Sequence, residues 1–227
     1  HLASSAASDV YKRQYLNLLL QDLLPKLKEN QLTNRIDIFI EKSAFSTTES
    51  LHYLKAAKTM NFDITVHGDQ FSTGGSKVAV EVNALSVDHL EASRESEIEQ
   101  LAKSNTIAVA LPGASIGLGM EYTPARKLLD KGACVAIASD WNPGSAPMGD
   151  LLIQACILGV YEKLSIAETL CGLTTRGAAA LGLKDRGSFR RDQLADFQMY
   201  PVKDYREIFY HQGSIKPVSV WKNGVLV

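Results

Sequence analysis

The chain has little that would draw it to charged polymers. Lys and Arg number 24 against 25 Asp and Glu, a formal net charge of -1. With no excess of either sign, and no basic stripe interleaved with aromatics, a nucleic-acid footprint is excluded. Cysteine is scarce: Cys134, Cys156 and Cys171 are the three present, none in C-x-x-C spacing. That excludes a disulfide framework or a zinc ribbon, and leaves reduced thiols among small and apolar neighbours, as expected in the cytoplasm. No apolar run reaches the roughly 20 residues that a membrane span requires, and the N-terminus lacks the charged start and apolar middle of a secretory signal. The partner expected is therefore a small molecule, with neither nucleic acid nor membrane.

What is present suits one domain with a sizeable core: 227 residues, 45% of them hydrophobic. Residues 1–14 (HLASSAASDVYKRQ) show neither helical nor strand periodicity and are expected to be a foreign or disordered segment outside the fold. From Tyr15 helix and strand alternate. Leu16, Leu19, Leu20, Leu23, Leu24 and Leu27 recur at helical spacing to Glu29, and Ile36 to Ile40 reads as a strand. Ser46-Thr47-Thr48-Glu49 is a capping box opening a helix to about Met60, and Ile64 to His67 is the next strand. Helices follow near 76–82, 95–103 and 122–130, with strands ending at His89, at 106–111 and at 134–139. Strand after strand separated by a helix signals parallel pairing with right-handed crossovers. The pattern allows part of an eight-unit barrel or an open doubly wound sheet. Two helices, near 149–161 and 165–181, come next, the second opened by the box from Ser165 to Glu168. Short strands at 197–200 and 218–227, with a turn at Asn223-Gly224, then suggest a β appendage.

Three strand ends carry the chemistry. Val135 to Ser139 is a buried-type strand that stops at Asp140, before the rigid turn Trp141-Asn142-Pro143-Gly144, which is where a parallel α/β barrel places reactive groups. Two earlier strands stop at His67 and His89. Each feature has an ordinary explanation. Either histidine could be a hydrogen-bonded core residue, Asp140 could cap its turn, and Asn-Pro-Gly turns the chain on any fold. Gly113 to Gly119 fits neither G-x-G-x-x-G nor a Walker loop, and is expected to be a flexible loop over the barrel mouth. Arg126 and Arg176 are expected in surface ion pairs, and His52 on a solvated or partly packed helix face.

Taken together, Glu41-Lys42-Ser43-Ala44-Phe45, His67-Gly68-Asp69-Gln70, Asp88-His89-Leu90-Glu91, Leu111-Pro112-Gly113-Ala114 and Ser139-Asp140-Trp141-Asn142-Pro143-Gly144 resemble, in order and spacing, the C-terminal half of the imidazolonepropionase family of metal-dependent amidohydrolases. The resemblance runs from about Tyr15 to Val227. It implies an α/β fold, a partial TIM-like (β/α) barrel of the amidohydrolase type (about strands 4 to 8) over residues 15–186, with a small C-terminal β-sandwich portion over 187–227. By similarity, His67 from the fifth barrel strand and Asp140 from the eighth are ligands of one divalent metal ion, zinc or iron. His89, from the sixth, is the catalytic donor to the developing oxyanion. Asp140 is also the catalytic proton acceptor from the attacking water, and Gln70, Asn142, Gly144 and Ser145 bind substrate or opened product. Asp88 and Glu91 are given no more than orienting or surface roles. The implied reaction is hydrolysis of the cyclic amide of 4-imidazolone-5-propanoate to N-formimidoyl-L-glutamate in histidine breakdown, with a homodimer for the full-length protein.

The chain departs from that family by lacking the His-x-His pair of the first strand. Two protein ligands remain, fewer than the three that catalytic zinc sites keep, so the chain alone is expected to bind metal weakly and turn over little. A related aminohydrolase acting on a purine or pyrimidine ring, a phosphate-binding α/β barrel and a non-catalytic interaction fragment are the alternatives.

Overall fold

A computed structural model describes residues 2–227. His1, part of the segment expected to lie outside the fold, falls outside the described residues. The rest of that segment is helical: α1 runs Leu2–Leu18, continues through a π-helical turn at Leu19–Leu23 and ends in α2, Leu24–Glu29. A helix thus stands where the sequence shows no periodicity. Lys12 donates to the Ala44 carbonyl at 2.6 Å and Arg13 lies 3.7 Å from Glu49, which ties this helix to the body of the protein. Its π turn has a covalent cause. Pro25 brings no N–H for the carbonyl four residues earlier and its ring crowds that carbonyl, so the helix widens just before it.

Next come β1 (Arg35–Ile40), α3 (Thr47–Thr59), β2 (Asp63–Gly68), α4 (Gly75–Glu81), β3 (Ser86–His89), α5 (Glu95–Ala102), β4 (Ile107–Ala110), α6 (Pro112–Leu118), α7 (Ala125–Asp130) and β5 (Val135–Ile137). All four strand pairings are parallel, and the order in the sheet is β1-β2-β3-β4-β5. A doubly wound sheet reverses its order at a switch point. This sheet never does, so it is a barrel segment.

Alternation gives the sheet two faces. Ile36, Ile38, Ile64, Val66, Val87 and Val135 point outward into the main core, where they meet Leu54, Ile98, Leu101, Leu128 and Leu158 of the surrounding helices. The opposite parity runs along the inner face. There the register sets Phe39 beside His67 and His67 beside Asp88, and Val109 and Ala136 pack with Ala114 and Ala180. One close approach is fixed by glycine: a Cβ on Gly75 would stand 2.4 Å from Gly68 Cα, so only hydrogen lets the start of α4 meet the end of β2.

After the sheet lie α8 (Leu151–Tyr161), α9 (Ile166–Leu173) and α10 (Thr175–Ala180). The single helix expected over 165–181 is thus broken at Thr174, whose hydroxyl donates to the Leu170 carbonyl at 2.7 Å and whose backbone leaves the helical region. Arg35, at the N-terminal end of β1, donates to the carbonyls of Ala180 and Leu181 that close α10. Residues 113–119, expected to be a flexible loop, instead form most of α6. Pro112 opens it and Gly119, at φ 65°, closes it, the usual placement of proline at a helix start and glycine past its end. The tail forms β6 (Phe197–Met199), a short α11 (Arg206–Tyr210), β7 (Ser219–Lys222) and β8 (Val225–Leu226), with the three strands in one antiparallel sheet. Asn223 and Gly224 both have positive φ, as a two-residue hairpin turn demands. Among the described residues no helix is long and apolar enough to cross a membrane.

Candidate active site

The candidate residues collect at the C-terminal rim of the sheet. His67 is the penultimate residue of β2, half-buried on the inner face, with Phe39 edge-on at 3.8 Å between ring centres. His89 ends β3 and by alternation belongs to the outer face. Positive φ at His89 (85°) and Leu90 (74°) breaks that alternation and turns the chain at the rim. Its ring therefore lies 4.0 Å from that of His67, centre to centre. The turn is supported locally, since Thr123 donates its hydroxyl to the His89 carbonyl and Leu90 N–H bonds to the Gly68 carbonyl at 3.2 Å.

Burial, with neighbouring His89 adding to it, pushes the His67 imidazole down to about 3, while Gln70 works the other way. His67 is a neutral imidazole at physiological pH, and its Nε2 is buried without a hydrogen-bond partner among the described residues. A buried, unpaired lone pair on a neutral ring is what a metal ligand requires. His89 Nδ1 is likewise buried and unpartnered, 3.6 Å from Glu91 Oε2, too far for a hydrogen bond but within ion-pair reach when the ring is protonated. Glu91 is itself buried, and accepts a long bond from the Ser115 hydroxyl at 3.4 Å. It therefore faces His89 from inside the protein and is not a surface residue.

Asp140 also adopts positive φ, 51°, and accepts from the Ser145 hydroxyl at 3.2 Å. Asn142 and Gly144 serve the turn itself. Asn142 exchanges backbone bonds with Ala146, and its Oδ1 accepts the Gly144 N–H at 2.8 Å. Both are exposed. The turn is braced by α6, where Gly117 is so close to the Ser145 carbonyl that a Cβ would fall 1.8 Å from its oxygen.

The structure thus unites His67, His89 and Gln70 in one cluster, and Asp140 with Ser145 in another. Among the described residues, no three His, Cys, Asp or Glu side chains converge as a metal-ligand set. The donor set fits a divalent ion in kind, a neutral imidazole and a carboxylate, and falls short in number.

Three carboxylates gained no definite role from sequence. Asp88 lies on the inner face, where burial first and then Asp37 push it up to about 7, Asp140 adding to the rise. The parity of Ser86 and Asp88 within a four-residue strand is the signal that could have placed it there. Glu41 and Asp69 are buried carboxylates that bind loop donors. Nothing in a linear motif reveals such long-range acceptors. Arg126 does pair at the surface, bidentate to Glu168 at 3.0 Å for both bonds.

A family model described as the amidohydrolase family matches residues 43–227. An imidazolonepropionase from Deinococcus deserti is 38% identical over 96% of this chain and 55% of its own length. One from Bacillus mycoides is 36% identical over 98% of this chain and 54% of its own. The chain spans about half the length of the curated relatives it matches. Among solved structures, a zinc-bound adenosine deaminase from Xanthomonas campestris superposes with a TM-score of 0.68 at 17% identity, covering 81% of this chain and 49% of that one. A mutant atrazine chlorohydrolase from Arthrobacter aurescens, complexed with zinc and atraton, does so at 0.71 and 16%, covering 93% and 55%. At those identities the likeness is one of fold.

Proposed function

We propose that this chain, which belongs to the amidohydrolase family, provides the C-terminal part of the active site of an imidazolonepropionase. The reaction is hydrolytic opening of the cyclic amide of 4-imidazolone-5-propanoate to N-formimidoyl-L-glutamate. The observation that carries this reading is the pair of imidazoles 4.0 Å apart at the rim, in a chain matched to imidazolonepropionases along nearly its whole length.

His67 and Asp140 would hold the divalent ion, zinc or iron, with the remaining ligands coming from outside this chain. When bound, such an ion supplies Lewis acidity, polarising the amide carbonyl and making water acidic near neutral pH. The other work belongs to side chains. Asp140 takes the proton of the attacking water and passes it to the departing ring nitrogen, as a carboxylate at the mouth of the barrel can. His89 donates to the oxygen that gains charge as the carbonyl carbon becomes tetrahedral. Gln70 orients the ring, and Ser145, hydrogen-bonded to Asp140, joins Asn142 and Gly144 along the substrate's other side. By itself the chain offers two ligands and is expected to bind metal weakly.

The test is product identity. Intact protein containing this chain, supplied with zinc and 4-imidazolone-5-propanoate, is expected to yield a product heavier by one water, with no ammonia released. Ammonia release from a purine or pyrimidine ring, with imidazolone propanoate untouched, overturns the reading in favour of an aminohydrolase, the class to which the adenosine deaminase neighbour belongs by its name.

A further inference from the structure

The β1–β2 ladder ends at the pair Ile40 and Gly68. Beyond it the two rims are joined by one side chain. Glu41, directly after β1, is 4% exposed, and a carboxylate so buried requires donors to offset its lost hydration. It finds three in succession. Oε1 accepts the backbone N–H groups of Gln70 at 2.7 Å and Phe71 at 3.0 Å, and Oε2 accepts the Ser72 hydroxyl. A single carboxylate thus grips one turn of the loop after β2, and that turn begins at the residue set beside His67.

Asp69 holds the same loop from the other side. Fully buried and at φ 57°, its carboxylate accepts from Gly74 N at 2.9 Å, from the backbone and hydroxyl of Ser76, and from the Ser93 hydroxyl at 2.9 Å. Asp69 therefore fastens the loop to α4 and to the loop after β3. Glu41 fastens it to the neighbouring strand, on the side where Gln70 stands.

We propose that Glu41 is a positioning residue of the site: its carboxylate fixes the Gln70-Phe71-Ser72 turn and thereby the amide of Gln70 over the substrate ring. The part concerning the ring rests on the hydrolytic reading above; the part concerning the turn does not. Charge-assisted bonds from two consecutive amides set the direction of the Gln70 backbone, and hydrogen bonds to an ionised acceptor are stronger than neutral ones.

Amide hydrogen exchange on the intact chain separates the two parts. Glu41→Ala is expected to speed exchange at Gln70 and Phe71 by about tenfold or more, with the α7 amides unchanged. Glu41→Gln, whose amide oxygen still accepts both N–H groups but without the charge, is expected to fall between the parent and Glu41→Ala. Wild-type exchange at Gln70 and Phe71 in Glu41→Ala, or equal acceleration in α7, overturns the proposal. If Glu41→Ala does not fold, Ser72→Ala removes one of the three bonds and is expected to show the same local pattern, by about threefold. Unchanged exchange there also overturns it. In protein that opens imidazolone propanoate, Glu41→Ala is expected to raise KM about tenfold, and Glu41→Gln to raise it less; a fall in kcat alone contradicts a role in placing the ring. Wild-type protein without ring-opening activity contradicts the hydrolytic reading, and the exchange pattern then decides whether Glu41 holds the turn.

Discussion

His89 was legible as a residue and not as a geometry. An apolar strand ending in histidine marks a rim position, yet the parity of β3 assigns His89 to the helix-facing side. The two consecutive positive φ values that bring it beside His67 leave no trace in a sequence that has Leu, not Gly, at the next position. Asp88 shows the reverse, since its inner-face position follows from parity and its chemistry follows from depth. Burial, with Asp37 beside it, raises Asp88 from the ordinary carboxylate range to about 7. A carboxyl group whose folded value is raised favours folding while protonated, so that contribution is present below about 4 and is lost as pH climbs toward about 7. Asp88→Asn is therefore expected to gain urea midpoint over the parent progressively between about pH 4 and pH 7 and to be more resistant than the parent at the alkaline end. A difference between the variant and parent midpoints that does not grow across that window contradicts the assignment.

Elements were the most legible level, because caps and periods are local. Ser46 accepts the Glu49 N–H while Glu49 reaches back to the Ser46 N–H, and Ser165 with Glu168 repeats the arrangement. Ser46→Ala and Ser165→Ala are each expected to cost about 1 kcal/mol in denaturant unfolding. At Glu168 the same carboxylate also takes the Arg126 fork, which holds it at about 2. Its replacement by Ala is accordingly expected to cost more than that of Ser165. What the local pattern missed came from outside each element. Pro25 widens a helix that leucine spacing shows as continuous, Thr174 breaks another, and α6 was hidden by a glycine-rich run that reads as a loop. The meeting of Gly68 and Gly75 is of the same kind. Gly75→Ala is expected to destabilise by about 1–3 kcal/mol, its Cβ forced against the Gly68 backbone, with the far-ultraviolet spectrum unchanged. A neutral result means that α4 moves freely relative to β2.

For the whole molecule, strand-helix alternation established parallel pairing, while the strand order, running from β1 to β5 without reversal, was needed to choose a barrel segment over a doubly wound sheet. The resemblance supplied what periodicity could not, namely which strand ends carry reactive groups. The helix before Tyr15 was not legible because its small polar residues carry no helical stripe, although Lys12 and Arg13 tie it to the body. The central proposal is that Asp140, three residues past the end of β5 and hydrogen-bonded to Ser145, moves the proton in ring opening. It is tested most directly by the kcat/KM of Asp140→Asn on 4-imidazolone-5-propanoate, measured in zinc-loaded intact protein whose folding is verified by its unfolding midpoint. A loss of about a thousandfold or more is predicted; activity within about tenfold of the parent contradicts the account.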